Sequence, residues 1–234
     1  MSKIKHISKK YLYITEHRLK AIIKKCRKLF SSLFFDYSGT VSPFDYENLP
    51  HPFHWTKRLK YKRLYVEIGT GHGEAIKHLS SADPEDLFVG FEITKKYSKK
   101  TANKIRKSKN AYVFKAEAYS AILNLFSNNS IDGIYILFPD PWHKKRHHKR
   151  RPITTKWLKK VSKKLKPGGF IIFATDWEEY FDYAIKQFQS VSKNFEIGAG
   201  KYTPSMFNLP KTHYYTKWLS EGRRFNYIKA TRKA

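Results

Sequence analysis

From Arg63 onward the chain alternates short apolar runs with amphipathic stretches, the pattern of strands followed by helices. Runs at Leu64–Ile68, Leu87–Phe91, Ala111–Lys115, Ile131–Phe138 and Phe170–Thr175 read as strands. Between and after them, Glu74–Ser80, Lys95–Lys107, Ala118–Phe126, Thr154–Leu165 and Trp177–Ser190 read as helices. This alternation implies an α/β fold with a mostly parallel sheet and helices on both faces. Right-handed crossovers leave few other topologies. Ligands of such sheets bind at the carboxyl ends of the strands, so the residues just after each run are the ones to inspect. Lys166-Pro167-Gly168-Gly169 reads as the stop of the fourth helix.

Residues 1–60 differ in pattern and read as a basic, aromatic N-terminal extension ahead of a domain at 61–234. Tyr11, Ile14, Leu19, Ile22, Ile23 and Leu29 recur at helical spacing, and Gly39, Pro43, Pro50 and Pro52 then break regular structure. The extension is expected either to enlarge a binding surface or to cover one edge of the domain.

Composition narrows the class. The 234 residues are 41% hydrophobic, enough for one α/β core and too little for two large domains. No apolar run approaches the roughly 20 residues that cross a bilayer, so a soluble, cytoplasmic protein without a membrane partner is expected. The single cysteine, Cys26, excludes an internal disulfide and reads as an ordinary thiol. A net charge of +28, from 47 Lys plus Arg against 19 Asp plus Glu, points to a polyanion. Lysine is abundant throughout, so genome-wide base composition and an anionic membrane surface are rival sources of the excess, which by itself favours nucleic acid only modestly. Where the charge clusters decides more.

After the first strand stands Glu67-Ile68-Gly69-Thr70-Gly71-His72-Gly73-Glu74. Glycines at alternate positions let a backbone turn sharply, approach a ligand and feed a helix. The spacing is not the G-x-G-x-x-G of dinucleotide enzymes, and Glu67 would repel a pyrophosphate. It suits the sulfonium and ammonium of S-adenosylmethionine. The second strand ends at Glu92, placed to accept ribose hydroxyls, and the third at Glu117, placed for an adenine amino group. Each acid alone is an ordinary loop residue. Three at successive strand ends beside one glycine turn resemble the cofactor site of the Rossmann-like class I methyltransferases.

The fourth run leads into Phe138-Pro139-Asp140-Pro141-Trp142, then nine residues of which six are Lys or Arg and three are His. Two prolines stiffen the loop around Asp140. A charge run is ordinarily a solvated surface. Beside a methyl-donor pocket, however, Lys144, Lys145, Arg146, Lys149, Arg150 and Arg151 would grip phosphates and bring a base to the methyl. His143, His147 and His148 lack a carboxylate or cysteine at ligand spacing, so no metal is expected.

The run FPDPWHKKRHHKRR, following EIGTGHGE and GFE, resembles the tRNA (guanine-N7)-methyltransferase family, whose bacterial members typically read PDPWPKKRHxKRR. The resemblance extends from about Leu64 to Arg224, with His143 in place of the usual proline. It implies a seven-stranded class I fold and methyl transfer from S-adenosylmethionine to N7 of a variable-loop guanosine in tRNA. By the same resemblance, Glu67, Glu92, Glu117 and Asp140, with Gly69 and Gly71 in the turn, contact the cofactor, and Asp140 is also catalytic. Lys144, Asp176 and the stretch Thr216-Lys217-Trp218-Leu219 match substrate-contacting positions. Bacterial-type relatives generally act without an obligatory protein partner, as monomer or homodimer. Leu219 departs from the pattern, because a glutamate is usual there; Glu221 or Asp176 is left to read the guanine edge.

The chemistry is consistent with these residues. Guanine N7 has an in-plane lone pair and no proton, so no general base is required. A carboxylate such as Asp140 offsets the charge developing on the base and aligns it. Without the resemblance, Asp176 would read as a helix N-cap, and Trp142 and Trp218 as core residues rather than stacking platforms. The rival readings are a methyltransferase acting on an exocyclic base amine and a catalytically silent RNA-binding module of the same fold.

Overall fold

The computed structural model describes residues 61–234; the N-terminal extension and its helical pattern lie outside the described residues. Seven strands form one sheet: β1 (Leu64–Ile68), β2 (Leu87–Phe91), β3 (Ala111–Phe114), β4 (Ile131–Leu137), β5 (Leu165–Thr175), β6 (Phe195–Lys201) and β7 (Asn226–Arg232). Their order is β3-β2-β1-β4-β5-β7-β6. Strands β1 to β5 pair in parallel, and β7 runs antiparallel between β5 and β6. This is the mostly parallel seven-stranded sheet expected.

The helices are α1 (Glu74–Ala82), α2 (Lys95–Ile105), α3 (Ala118–Leu125), α4 (Thr155–Ser162), α5 (Glu178–Gln189) and α6 (His213–Ser220). Helix α1 packs beside α2, whereas α4 packs between α3 and α5. Strand order reverses direction after β3, which places these two groups on opposite faces of the sheet. The central strands are therefore covered on both sides. All five residues of β2 are buried, and Val66, Ile134, Ile136, Ile171 and Phe173 form the core beside them.

Two expectations are corrected. Helix α4 ends at Ser162 rather than Leu165, and Pro167-Gly168-Gly169 lies inside β5 rather than stopping the helix. Leu165 pairs with Ile131 and Phe170 with Gly133, so four residues of β5 stand against Asp132 as a bulge. Gly168 there has φ +78°, and a Cβ on Gly169 would meet the Lys166 and Ile131 carbonyls at 2.9 and 3.0 Å. Strands β6 and β7 and helix α6 gave no element reading in the apolar pattern.

Candidate active site

The carboxyl ends of β1, β2, β3, β4 and β5 converge on one edge of the sheet, where two halves of a site meet. The first half is built on the glycine turn. Gly69, Gly71 and Gly73 have φ of +75°, +52° and +72°, a region closed to most side chains. The Gly69 N–H donates to the Phe91 carbonyl at 2.8 Å, and Thr101 on α2 donates to the Gly71 carbonyl at 3.0 Å. A Cβ on Gly73 would stand 2.8 Å from the Thr101 backbone, so glycine there permits the close approach of α1 to α2. A Cβ on Gly69 or Gly71 would meet nothing within 4 Å: that side of the turn faces open space.

Glu67 lies beneath the turn, and its Oε2 is buried without a partner. Burial pushes its pKa up to about 8, the Ile76 backbone hydrogen bond opposes the rise, and Glu92 adds to it. Glu92, also buried, accepts from the Gly71 N–H at 3.0 Å and from the Thr94 N–H and hydroxyl at 2.9 and 3.0 Å. It thereby braces the turn. Glu117 is exposed and caps α3, its two oxygens accepting from the Tyr119 and Ser120 N–H groups at 2.9 and 2.8 Å. Ile93, next to Glu92, is 64% exposed, an apolar surface at the same sheet edge that the polar pattern of the sequence concealed.

The second half is the loop after β4. Phe138 takes φ +52°, unusual for an aromatic residue, and its ring packs against Tyr202, Tyr214, Tyr215 and Phe225. Asp140 follows, exposed, with Oδ1 accepting from the Trp142 N–H at 2.9 Å in a local turn. Trp142 carries the Arg150 guanidinium 4.7 Å from its ring centroid. Lys145–Arg150 form a short 3₁₀ helix in which no residue is buried, and Lys144, Lys145, Arg146, Lys149 and Arg150 are exposed to solvent.

Arg151 corrects the expectation of a phosphate grip. Its side chain is fully buried; Nη1 and Nη2 reach the two Glu179 oxygens at 2.9 and 2.5 Å, and Nε reaches the Pro141 carbonyl at 2.8 Å. It lies over the Tyr180 and Tyr183 rings as well. Arg151 is the bolt that holds the loop to α5. Its neighbours in sequence point outward, and only the fold distinguishes them.

Asp176, at the end of β5, is buried and does not cap α5, which has no side-chain cap. Its oxygens accept from the Tyr214 hydroxyl at 3.2 Å and from Arg223. Burial, then the Asp176 carboxylate that accepts its hydrogen bond, raise the Tyr214 pKa, while Arg223 opposes the rise. Thr216, Lys217 and Leu219 are exposed on α6, and Leu219 is 48% exposed. Trp218 is half-buried, with Arg223 3.5 Å and Lys217 4.6 Å from its ring centroid.

Helix α6 joins the two halves. The His213 N–H donates to Glu74 of α1 at 2.7 Å, and its ring stacks on His72 of the glycine turn at 5.6 Å. One residue later, Tyr214 stacks on Phe138 of the loop at 5.2 Å. His213 and Tyr214 carried no sequence signal, because each contact spans more than 70 residues of chain. Among the described residues no cluster of His, Cys, Asp and Glu has the makings of a metal site.

Comparison with known proteins bears on this arrangement. Residues 61–227 match the family model described as "Putative methyltransferase". The tRNA (guanine-N(7)-)-methyltransferase of Cutibacterium acnes is 35% identical over 190 residues, covering 80% of this chain and 67% of that protein. That of Chromobacterium violaceum is 35% identical over 167 residues, covering 67% and 70%. That of Aquifex aeolicus is 38% identical over 162 residues, and there the match spans about half of the relative, 53%. Among solved structures, an antibiotic-related methyltransferase superposes with a TM-score of 0.54 at 20% identity, over 86% of this chain and all of that one. The 16S rRNA methyltransferase KamB gives 0.53 at 14% identity, over 76% and 92%. These two likenesses concern the fold.

Proposed function

The chain belongs to the tRNA (guanine-N7)-methyltransferase family, and on that premise we propose that it methylates N7 of a variable-loop guanosine, position 46 of tRNA. The observation that carries this reading is the unpartnered, buried Glu67 oxygen beneath an open glycine turn, on the same sheet edge as the Asp140 loop.

The residues of the first half fit the donor. Bound there, S-adenosylmethionine supplies an electrophilic methyl group on a sulfonium. Glu67 gains a cationic neighbour, which favours its ionised form. Glu92 is assigned the ribose hydroxyls, Gly69 and Gly71 the close backbone approach, Ile93 an apolar platform for the adenine ring and Glu117 the adenine amino group. The acceptor side does not need a base, since N7 loses no proton. Asp140 holds negative charge where the base becomes cationic, and the exposed cations of the loop, Lys144, Lys145, Arg146, Lys149 and Arg150, hold the tRNA backbone.

Leu219 offers no acceptor to the guanine N1 and N2 hydrogens. Asp176 stands beside Tyr214 and the Asp140 loop, whereas Glu221 lies at the other end of α6, roughly 10 Å away at the helical rise. We assign edge reading to Asp176, which must exchange its Tyr214 or Arg223 partner for the base to do so, with Thr216, Lys217 and Trp218 as further contacts from α6. The protein is proposed to act in the cytoplasm without an obligatory protein partner, as monomer or homodimer, with residues 1–60 as a separate extension. No helix among the described residues is long and apolar enough to cross a membrane.

The test is product analysis. The full chain is incubated with bulk tRNA and methyl-labelled donor, and the RNA is digested to nucleosides. Label in 7-methylguanosine is expected. Label in an exocyclic-amine product identifies the rival enzyme, and absence of both label and donor binding identifies a silent RNA-binding module.

A further inference from the structure

Helix α2 and the turn after it carry eight Lys or Arg between Lys95 and Lys109 and no carboxylate. Lys95, Lys96, Lys99, Lys100, Lys104, Arg106, Lys107 and Lys109 are all exposed. Among the described residues, Lys104 alone of these reaches an acid, Glu74 at 3.6 Å. A solvated helix face ordinarily interleaves acids four residues from its lysines, which stabilises it. Here Lys95–Lys99, Lys96–Lys100 and Lys100–Lys104 are like-charged pairs at that spacing, each mildly destabilising. Such self-repulsion is relieved when a polyanion supplies the missing charge.

The face is shaped as well as charged. An open depression of about 610 Å³ is lined by His72, Lys100, Asn103, Lys104 and Arg106. His72 belongs to the glycine turn and packs on Tyr97 of α2 at 5.2 Å and on His213 of α6. Burial and the nearby Lys100 lower the His72 pKa. Through His72 the depression borders the glycine turn of the donor pocket. Strand β1 stands between β2 and β4, and α2 then runs back from the strand ends, carrying the face roughly 15 Å further from Lys96 to Arg106 at the helical rise.

We propose that the α2 face, centred on Lys96, Lys100 and Arg106, is a second phosphate-binding surface for the same tRNA, gripping a part of the molecule remote from the methylated base. This rests on the reading of the chain as a tRNA methyltransferase. The loop after β4 orients the target guanine, and α2 holds a second arm, so a whole tRNA bridges the donor pocket. A short RNA carrying only the target arm reaches the loop and not α2.

The experiment uses the full chain and the variant K96Q/K100Q/R106Q, with folding checked by circular dichroism and donor binding by calorimetry. Steady-state kinetics on full-length tRNA are expected to show KM raised about fivefold or more with kcat within twofold. The log–log salt dependence of tRNA affinity becomes shallower by about two to three, one counterion term per lost phosphate contact. Affinity for a stem-loop containing only the target arm stays within twofold. An unchanged KM and salt slope on full-length tRNA overturns the proposal, as does an equal loss on the stem-loop. Loss of donor binding overturns it too, by assigning the face to the donor site. Failure of the underlying reading looks different: the unmodified protein forms no 7-methylguanosine.

Discussion

Glu67 is a carboxylate that the ligand-free fold holds at a cost. Its pKa stands at about 8 against an ordinary 4.5, because burial strips its water and Glu92 adds like charge. Between those values the native state keeps a proton that the unfolded chain has released. The contribution of this group to stability therefore falls as pH rises through this window and is gone only above the folded value. A cationic donor reverses the preference, so binding should expel the proton. We expect the Kd for S-adenosylmethionine to tighten from pH about 6 to pH about 8. Glu67→Gln should bind with little pH dependence and about tenfold more weakly at the upper end, a difference worth about one pKa unit. Calorimetry across that range checks both; pH-independent binding by the unmodified protein removes Glu67 from the donor site. Asp140 makes the complementary case. Asp140→Asn keeps an acceptor for the Trp142 N–H and removes the charge. It should lower the single-turnover rate about 100-fold while tRNA affinity stays within about threefold. A rate loss matched by lost affinity would instead make Asp140 a binding residue.

At the scale of elements, what was legible followed burial. Strands β1 to β5 are covered on both faces and read as continuous apolar runs, and their carboxyl ends located Glu67, Glu92, Glu117 and Asp140. Strand β6 buries Phe195 alone of its seven residues, and α6 buries only Tyr215, so neither leaves an apolar period to detect. The Pro-Gly-Gly of β5 misled because the same dipeptides that stop helices also build bulges. Arg151 misled for a related reason: six cations in one nine-residue run look alike until one of them finds Glu179. That pair gives an asymmetric prediction. Glu179→Ala leaves a buried guanidinium without its carboxylate and should cost about 3 kcal/mol, the lower end for a broken buried pair because Glu179 is half exposed. Arg151→Met removes the charge itself and should cost about 1–2 kcal/mol, while slowing methyl transfer through a loosened loop. Urea unfolding of the two variants checks the order; a larger loss for Arg151→Met would mean that packing on Tyr180 and Tyr183, rather than charge, fixes the loop.

At the scale of the whole molecule, the +28 charge acts as a field, and the fold decides which part of it grips. The loop after β4 presents exposed Lys144, Lys145 and Arg146 next to Asp140, so its contribution should be local to the target base. Charge reversal of these three to Glu removes three phosphate contacts and adds repulsion. Affinity should fall at least tenfold for full-length tRNA and for the isolated target arm alike, and the salt slope should flatten by about two to three. Turnover should fall as well, because the base is no longer held against the methyl. The α2 variant, by contrast, should spare turnover and the isolated arm. Filter binding between about 50 and 200 mM salt, run on both RNAs with both variants, separates a grip that orients from one that only holds. Equal salt slopes for the loop variant and the unmodified protein would mean that the loop cations, though exposed and clustered at the site, face solvent and not phosphate.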